Sequence, residues 1–302
     1  LDQIGANLTF KGGTSLSKVY GLIKRFSEDI DVSIERAFLG FEGDKDPIKV
    51  PSNKKAQKLI IELGEVCKNF VQNDLKNKLE QRISEKMGLD EGYTYEQGKD
   101  WQIVIDEEDN DGQTLLFYYP VESQQSEYVH PAVKIEMGAR ADHWPVETRK
   151  IVSYVAEAVP QGISEKENEI RVLSVERTFW EKATILHMYA NYPDGKNVPI
   201  RQSRHFYDFY CLLSSGVKEK VLDDIGLLEK VAKHKKLYFR AGWADYDSAR
   251  KGTLKIIPGE RILKAMHDDY NKMKEMFFEK PPEWEEIISK LEEFESEFNN
   301  DR

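Results

Sequence analysis

The stretch FKGGTSLSKVYGLIKRFSEDIDVSIE, Phe10 to Glu35, constrains the fold of this chain more than any other. Leu8–Phe10 predicts a short strand running into Gly12-Gly13. From Thr14 to Lys24 apolar residues recur at helical spacing, at Leu16, Val19, Tyr20 and Ile23. Thr14 or Ser15 can cap that helix. Asp29–Glu35 then reads as a strand, with Ile30, Val32 and Ile34 pointing one way and Asp29, Asp31 and Ser33 the other. Two carboxylates thus leave one face of a strand, roughly 6–7 Å apart at their Cα atoms. Charges that close repel, and one pKa rises unless a cation neutralises the pair.

Hard carboxylate oxygens suit Mg²⁺, which keeps some waters and takes other ligands from substrate phosphates. Two metals about 3.5–4 Å apart can hold both the attacking and the leaving oxygen in phosphoryl or nucleotidyl transfer. Gly12 and Gly13 let the backbone approach a ligand closely. The following helix start offers free N–H groups to an anion, with Thr14 or Ser15 donating a hydroxyl and Lys11 and Arg25 supplying nearby cations. The expectation is a phosphate cradle beside a metal-binding pair. A third carboxylate usually completes a two-metal site, and Glu136 is the candidate. It alternates outward on the predicted strand Val133–Ala139, and an antiparallel neighbour would bring it beside Asp29. The competing reading is a surface Glu paired with Lys134 or Arg140.

The remainder reads as more sheet and then helices. Lys54 to Lys86 predicts one long helix. Strands are expected at Trp101–Asp106, Thr114–Val121 and Val133–Ala139, with further short ones in KIVSYVAEAV and IRVLS. The early βαβ-like unit would then adjoin a mostly antiparallel sheet. After Leu173 the pattern turns helical, at Val175–Ala190, Arg204–Leu213, Val217–Ala232, Arg261–Phe278 and Glu283–Phe298. The expected organisation is an α/β domain over 1–173 and a helical bundle over 174–302. With 302 residues the chain has room for both.

Composition bounds the functional classes. A net charge of −10 disfavours non-specific nucleic-acid binding over the whole surface, without excluding a local basic cleft. Cys67 and Cys211, the two cysteines, read as reduced core thiols rather than a metal site or disulfide framework. No apolar run reaches the roughly 18 residues that a membrane helix needs. No secretion signal is visible, and a cytoplasmic location is expected. The chain opens on Leu1 rather than Met, so upstream residues are expected to precede it.

The segment FKGGTSLSKVYGLIKRFSEDIDV resembles the signature of the AbiEii/AbiGii toxin family of nucleotidyltransferases, within the DNA polymerase β-like superfamily. That signature is a glycine pair, a Ser or Thr, a helix, then a strand carrying D-x-D. VERTFWEKATILH resembles the family's lysine-bearing helix, with Lys182 at the lysine position. RHFYDFYCLL resembles its R-x-x-Y-D helix, with Asp208 at the aspartate. The resemblance runs from about Leu8 to Phe278. It implies an α+β fold, a polymerase β-like mixed sheet with helices followed by a helical bundle. It also implies Mg²⁺, an NTP substrate, a cognate antitoxin and a tRNA 3′ end or other RNA as acceptor. Asp29 and Asp31 would hold metal, Lys182 would contact the triphosphate, and Asp208 would be a further acidic residue of the active-site cleft. The family's third strand aspartate does not align, and Glu136 stands in its region.

The residues themselves leave alternatives. A helical lysine such as Lys182 is usually a solvated charge. Asp208 lies four residues after Arg204, a spacing that suits an ion pair on one helix. Flanked by Phe206, Tyr207, Phe209 and Tyr210, however, Asp208 is poorly explained as a surface acid. An NTP-binding interaction protein without turnover, and a transferase acting on a protein or small molecule, are the rival readings.

Overall fold

The computed structural model describes residues 5–27, 29–87, 100–120, 132–159, 161 and 167–300. Contacts divide the chain into two compact units: Leu1–Thr14 with Glu28–Val172, and Ser15–Ser27 with Leu173–Arg302.

The first unit is built on a mixed sheet. Strand β1 (Leu8–Lys11) leads into helix α1 (Gly12–Lys18), and the division between units falls inside that helix, after Thr14. Strand β2 (Asp29–Ile34) returns antiparallel to β1, with Lys11 opposite Asp31. The βαβ-like start is thus a strand, a short helix and a strand that returns antiparallel to the first. The predicted long helix is present as α2 (Asn53–Asn69), a π-helical turn at Phe70–Leu75, and α3 (Lys76–Met87). Ser52 caps α2, its side chain accepting from the Lys55 amide. Strands β3 (Gln102–Ile105), β4 (Thr114–Tyr118) and β5 (Ala132–Gly138) form an antiparallel meander. The expected strand end at Val121 lies outside the described residues.

Next come β6 (Val146–Ile151), a short helix α4 (Tyr154–Ala158) and β7 (Asn168–Leu173). Among the described residues the sheet order is β3-β4-β5-β2-β1-β7-β6. The segment KIVSYVAEAV, expected as a strand, is strand only to Ile151; Ser153 then caps α4 by accepting from the Ala156 amide. The β-branched content argued for extension, and the capping serine won locally.

Alternation along the strands gives the sheet two characters. Ile34, Ile103, Leu115 and Met137 are buried on one face. Leu59, Ile60, Leu63 and Cys67 form the buried stripe of α2. The register sets Lys11, Asp31 and Glu136 in one row across β1, β2 and β5, on the opposite face.

The second unit is helical: α5 (Val175–Ala190), α6 (Arg204–Leu213), α7 (Val217–Asp223), α8 (Gly226–Tyr238), α9 (Glu260–Lys272) and α10 (Trp284–Asn300). The predicted helix Val217–Ala232 is broken into α7 and α8 around Asp224. The unit's core joins Phe179, Trp180, Phe206, Phe209 and Phe294 to Leu16 and Ile23 from the N-terminal segment Ser15–Ser27. Phe179, Phe209 and Phe294 pack ring against ring, with centroids 4.8–5.8 Å apart. Ser174 caps α5, accepting from the Arg177 amide.

Candidate nucleotidyltransferase site

The aspartates of the opening motif lie on β2, as the alternation predicted. Their neighbour is not where it was expected. Strand β5 runs parallel to β2, not antiparallel, and its register sets Glu136 opposite Asp31 and Lys134 opposite Asp29. In paired strands, residues directly opposite point to the same face. Asp29, Asp31 and Glu136 therefore share a face with two lysines. Lys134 Nζ lies 3.3 Å from Glu136 Oε1 and 3.5 Å from Asp106 Oδ2, and Lys11 Nζ lies 3.6 Å from Asp31 Oδ1. Partial burial, then the charges of Asp31 and Asp29, raise the Glu136 pKa above the ordinary carboxylate value, against the pull of Lys134. Burial works against the Lys134 charge, but Glu136 and then Asp106 and Asp29 outweigh it and raise its pKa.

The glycine pair approaches this face closely. Gly12 has φ +77°, and a Cβ placed on it would lie 1.9 Å from Asp31 Oδ2. The backbone of Gly12 is thus seated against the Asp31 carboxylate in a conformation that only glycine adopts without strain. Helix α1 begins at Gly12, so Thr14 lies within the helix rather than capping it. The Thr14 hydroxyl donates to the Asp29 carbonyl, tying the start of α1 to the start of β2. Ser15 is fully buried.

Among the described residues no three His, Cys, Asp or Glu side chains stand together as a metal cage. The expected set of Asp29, Asp31 and Glu136 is therefore a row of carboxylates on neighbouring strands, with Lys134 against Glu136 and Lys11 against Asp31. The donor chemistry still fits a hard divalent ion. Carboxylate oxygens crowd one face, and the glycine at position 12 lets the Asp31 carboxylate occupy the space that a Cβ would take.

Arg25, Lys182 and Asp208, all in the helical unit, come together. Arg25 Nε and Nη2 each donate to Asp208 at 2.8 Å, a bidentate pair with side chains 1% and 0% exposed. Lys182 Nζ donates to Asp208 Oδ2 at 2.7 Å and lies 3.1 Å from His205 Nδ1. Burial alone would raise the Asp208 pKa; Arg25 and Lys182 overcome it and hold the carboxyl well below its usual range. Burial, more than Asp208 can offset, lowers the Lys182 pKa, and Arg25 adds to the effect. Burial and the Lys182 charge keep His205 neutral, far below the usual histidine range. Lys182 is thus not a solvated helix charge, and Asp208 pairs with Arg25 and Lys182 rather than with Arg204. Arg25, expected as a phosphate contact, has its guanidinium committed to Asp208 and to the Phe26 carbonyl.

Sequence reasoning missed Asp106 as a member of the first cluster, and it set His205 beside Asp208 as a contact for RNA phosphate without its contact to Lys182. The available signals were the position of Asp106 at the end of an alternating strand and of His205 three residues before Asp208.

A glycine seated on an aspartate of a D-x-D strand, in a mixed sheet flanked by helices, is the arrangement of the nucleotidyltransferase class. The family model described as nucleotidyl transferase AbiEii toxin, type IV TA system, matches residues 1–293. The chain belongs to this family: it is a nucleotidyltransferase toxin of a type IV toxin–antitoxin system. Among solved structures it is similar to MenT4, a nucleotidyltransferase toxin from Mycobacterium tuberculosis, at 17% identity over 97% of this chain and 83% of that one, with a TM-score of 0.42. No curated protein matches the chain. Among the described residues no helix is long and apolar enough to cross a membrane.

Proposed function

We propose that this chain transfers NMP from an NTP to an acceptor hydroxyl, with an RNA 3′ end such as that of tRNA as the acceptor, using divalent metal bound at Asp29, Asp31 and Glu136. The observation that carries the reading is the seating of the Gly12 backbone on Asp31, with Glu136 opposite Asp31 on β5. Mg²⁺, when bound, would supply positive charge for the α-phosphate and the pyrophosphate leaving group. The backbone at Gly12 and Gly13 accommodates the triphosphate, and Lys11 and Lys134 offset its charge. Glu136, placed opposite Asp31 on this face, accepts the proton of the attacking hydroxyl. The P–O bond to pyrophosphate breaks as the new phosphodiester forms. Transfer is expected to require Lys182 and Asp208 as well. The partners of this reading are the NTP, the RNA and a cognate antitoxin, in the cytoplasm.

The test is incubation with each α-labelled NTP and Mg²⁺, with total tRNA or without acceptor. Asp31→Asn is run in parallel. Label passing to RNA with wild type, and at least 100-fold slower with Asp31→Asn (about 3 kcal/mol of barrier), is the expected result. Label on the protein itself or on small molecules keeps the chemistry and replaces the acceptor. NTP binding with no transfer to any of these would leave an interaction protein without turnover.

A further inference from the structure

The sheet face holding Asp29, Asp31 and Glu136 also holds a lysine that neither the family signature nor the spacing singles out. Lys134 sits two residues before Glu136 on β5 and opposite Asp29 on β2, so its side chain leaves the same face as all three carboxylates. Its ammonium touches Glu136 at 3.3 Å and Asp106 at 3.5 Å. A divalent ion that used Glu136 would need the oxygens this ammonium now faces. The contact is a weak obstacle. Lys134 is 38% exposed and Glu136 41%, and half-exposed ion pairs of this kind are screened and easily exchanged. Once displaced, the ammonium would lie beside a doubly charged ion of its own sign. An anion such as a triphosphate would then be its best new partner.

We propose that Lys134 is a resident counter-cation of the carboxylate face, holding Glu136 when no divalent ion is present and competing with that ion for it. The proposal rests on reading Asp29, Asp31 and Glu136 as the metal-binding face. It makes metal binding weak in the free protein and couples it to nucleotide. Metal frees the ammonium for the phosphates, and by reciprocity the phosphates strengthen metal binding.

The experiment is Mn²⁺ binding to the full chain without nucleotide, followed by the electron paramagnetic resonance signal of free Mn²⁺. Lys134→Met and Lys134→Gln remove the competing charge, and two neutral replacements guard against one of them failing to fold. Each is expected to bind Mn²⁺ about ten-fold more tightly than wild type, the size of effect a half-exposed charge at this range can exert. Lys134→Arg, which keeps the charge, is expected to bind as wild type does. ATP is expected to tighten Mn²⁺ binding more in wild type than in Lys134→Met. Equal or weaker Mn²⁺ binding by the neutral variants overturns the proposal. Adding Asp31→Asn to Lys134→Met separates the two failures. If it abolishes Mn²⁺ binding while Lys134→Met alone changes nothing, only the role of Lys134 falls. If Mn²⁺ binding survives Asp31→Asn, the face is not the metal site and both readings fall.

Discussion

Asp208 shows how one residue can be correctly singled out and wrongly paired. Its aromatic flanks marked it as a buried acid, but the nearest candidate partner along the sequence was Arg204, four residues away. Its partners, Arg25 and Lys182, lie 183 and 26 residues away, and neither spacing carries a local sign of the pairing. A buried charge is tolerated when opposite charges and hydrogen bonds satisfy it, and removing one partner strands the others. Asp208→Asn leaves the Arg25 guanidinium and the Lys182 ammonium facing each other. The expected cost is about 3–5 kcal/mol of unfolding free energy, read by urea denaturation followed by circular dichroism. A loss under about 1 kcal/mol would mean that the cluster is solvated in solution. Glycine 12 was legible for the opposite reason. Its requirement is local: a glycine pair between a strand and a helical pattern, with the aspartates it serves less than 20 residues on.

At the scale of elements, helices α5 and α6 match their expected bounds, Val175–Ala190 and Arg204–Leu213, because apolar periodicity, and for α5 the Ser174 cap, are written in neighbouring residues. The direction of β5 relative to β2 was not readable, since strand pairing depends on how the chain between them returns and not on either strand's own pattern. That misreading placed Glu136 beside Asp29 instead of Asp31. The loop before α9 is held from α5 as well as from α10, where Asn299 and Glu295 bond its backbone at Leu254, Ile256 and Ile257. His187 on α5 is fully buried and bridges two loop positions: its Nδ1 accepts from the Lys255 amide at 3.1 Å, and its Nε2 lies 3.0 Å from the Asp245 carbonyl. An accepting Nδ1 leaves the proton on Nε2, so the ring is neutral, and burial lowers its pKa. Asp245 itself sits in the left-handed region at φ +44°. His187→Ala should loosen the loop around Asp245 and Lys255 at a cost of about 4 kcal/mol, the sum of a buried ring lost and two backbone groups left without their partner. Amide exchange at Lys255 and proteolytic nicking within 241–258 are expected to accelerate. Unchanged exchange there would show that the loop is held by other contacts.

For the whole molecule, acid should be destabilising below about pH 6.5, since burial lowers the pKa of His143, His187 and His205 alike, and His143 sets a bounded part of that loss. His143 Nδ1 meets the Ser33 hydroxyl at 3.0 Å, and burial, then Arg36, pushes its pKa down to about 4. An unfolded histidine titrates near 6.5. Between pH 6.5 and 4 the unfolded chain binds a proton that folded His143 refuses, so stability falls as pH falls through that window. Linkage puts the loss from this group at about 2 kcal/mol between pH 7 and 4.5. His143→Gln is expected to flatten that part of the stability profile, measured by urea midpoints at several pH values. An unaltered slope would assign the acid sensitivity elsewhere. The overall plan was legible only in outline. The turn from sheet to helices near Leu173 stands in the sequence, but the membership of Ser15–Ser27 in the helical unit does not, because it rests on contacts with residues more than 150 positions downstream.

That membership has a consequence for the chain as it is made. Arg25 emerges from the ribosome early, with its counter-ion Asp208 still 183 residues from synthesis. At about 5–20 residues per second, it waits roughly 10–40 s. Leu16 and Ile23 wait longer, for Phe294 and Phe298 of the core they share. The glycine pair and the aspartate pair flank this waiting segment on either side. A nascent toxin therefore cannot complete the packing of this segment until translation is nearly over, and a chain released early by a stalled ribosome carries Leu16, Ile23 and Arg25 without the partners that bury them.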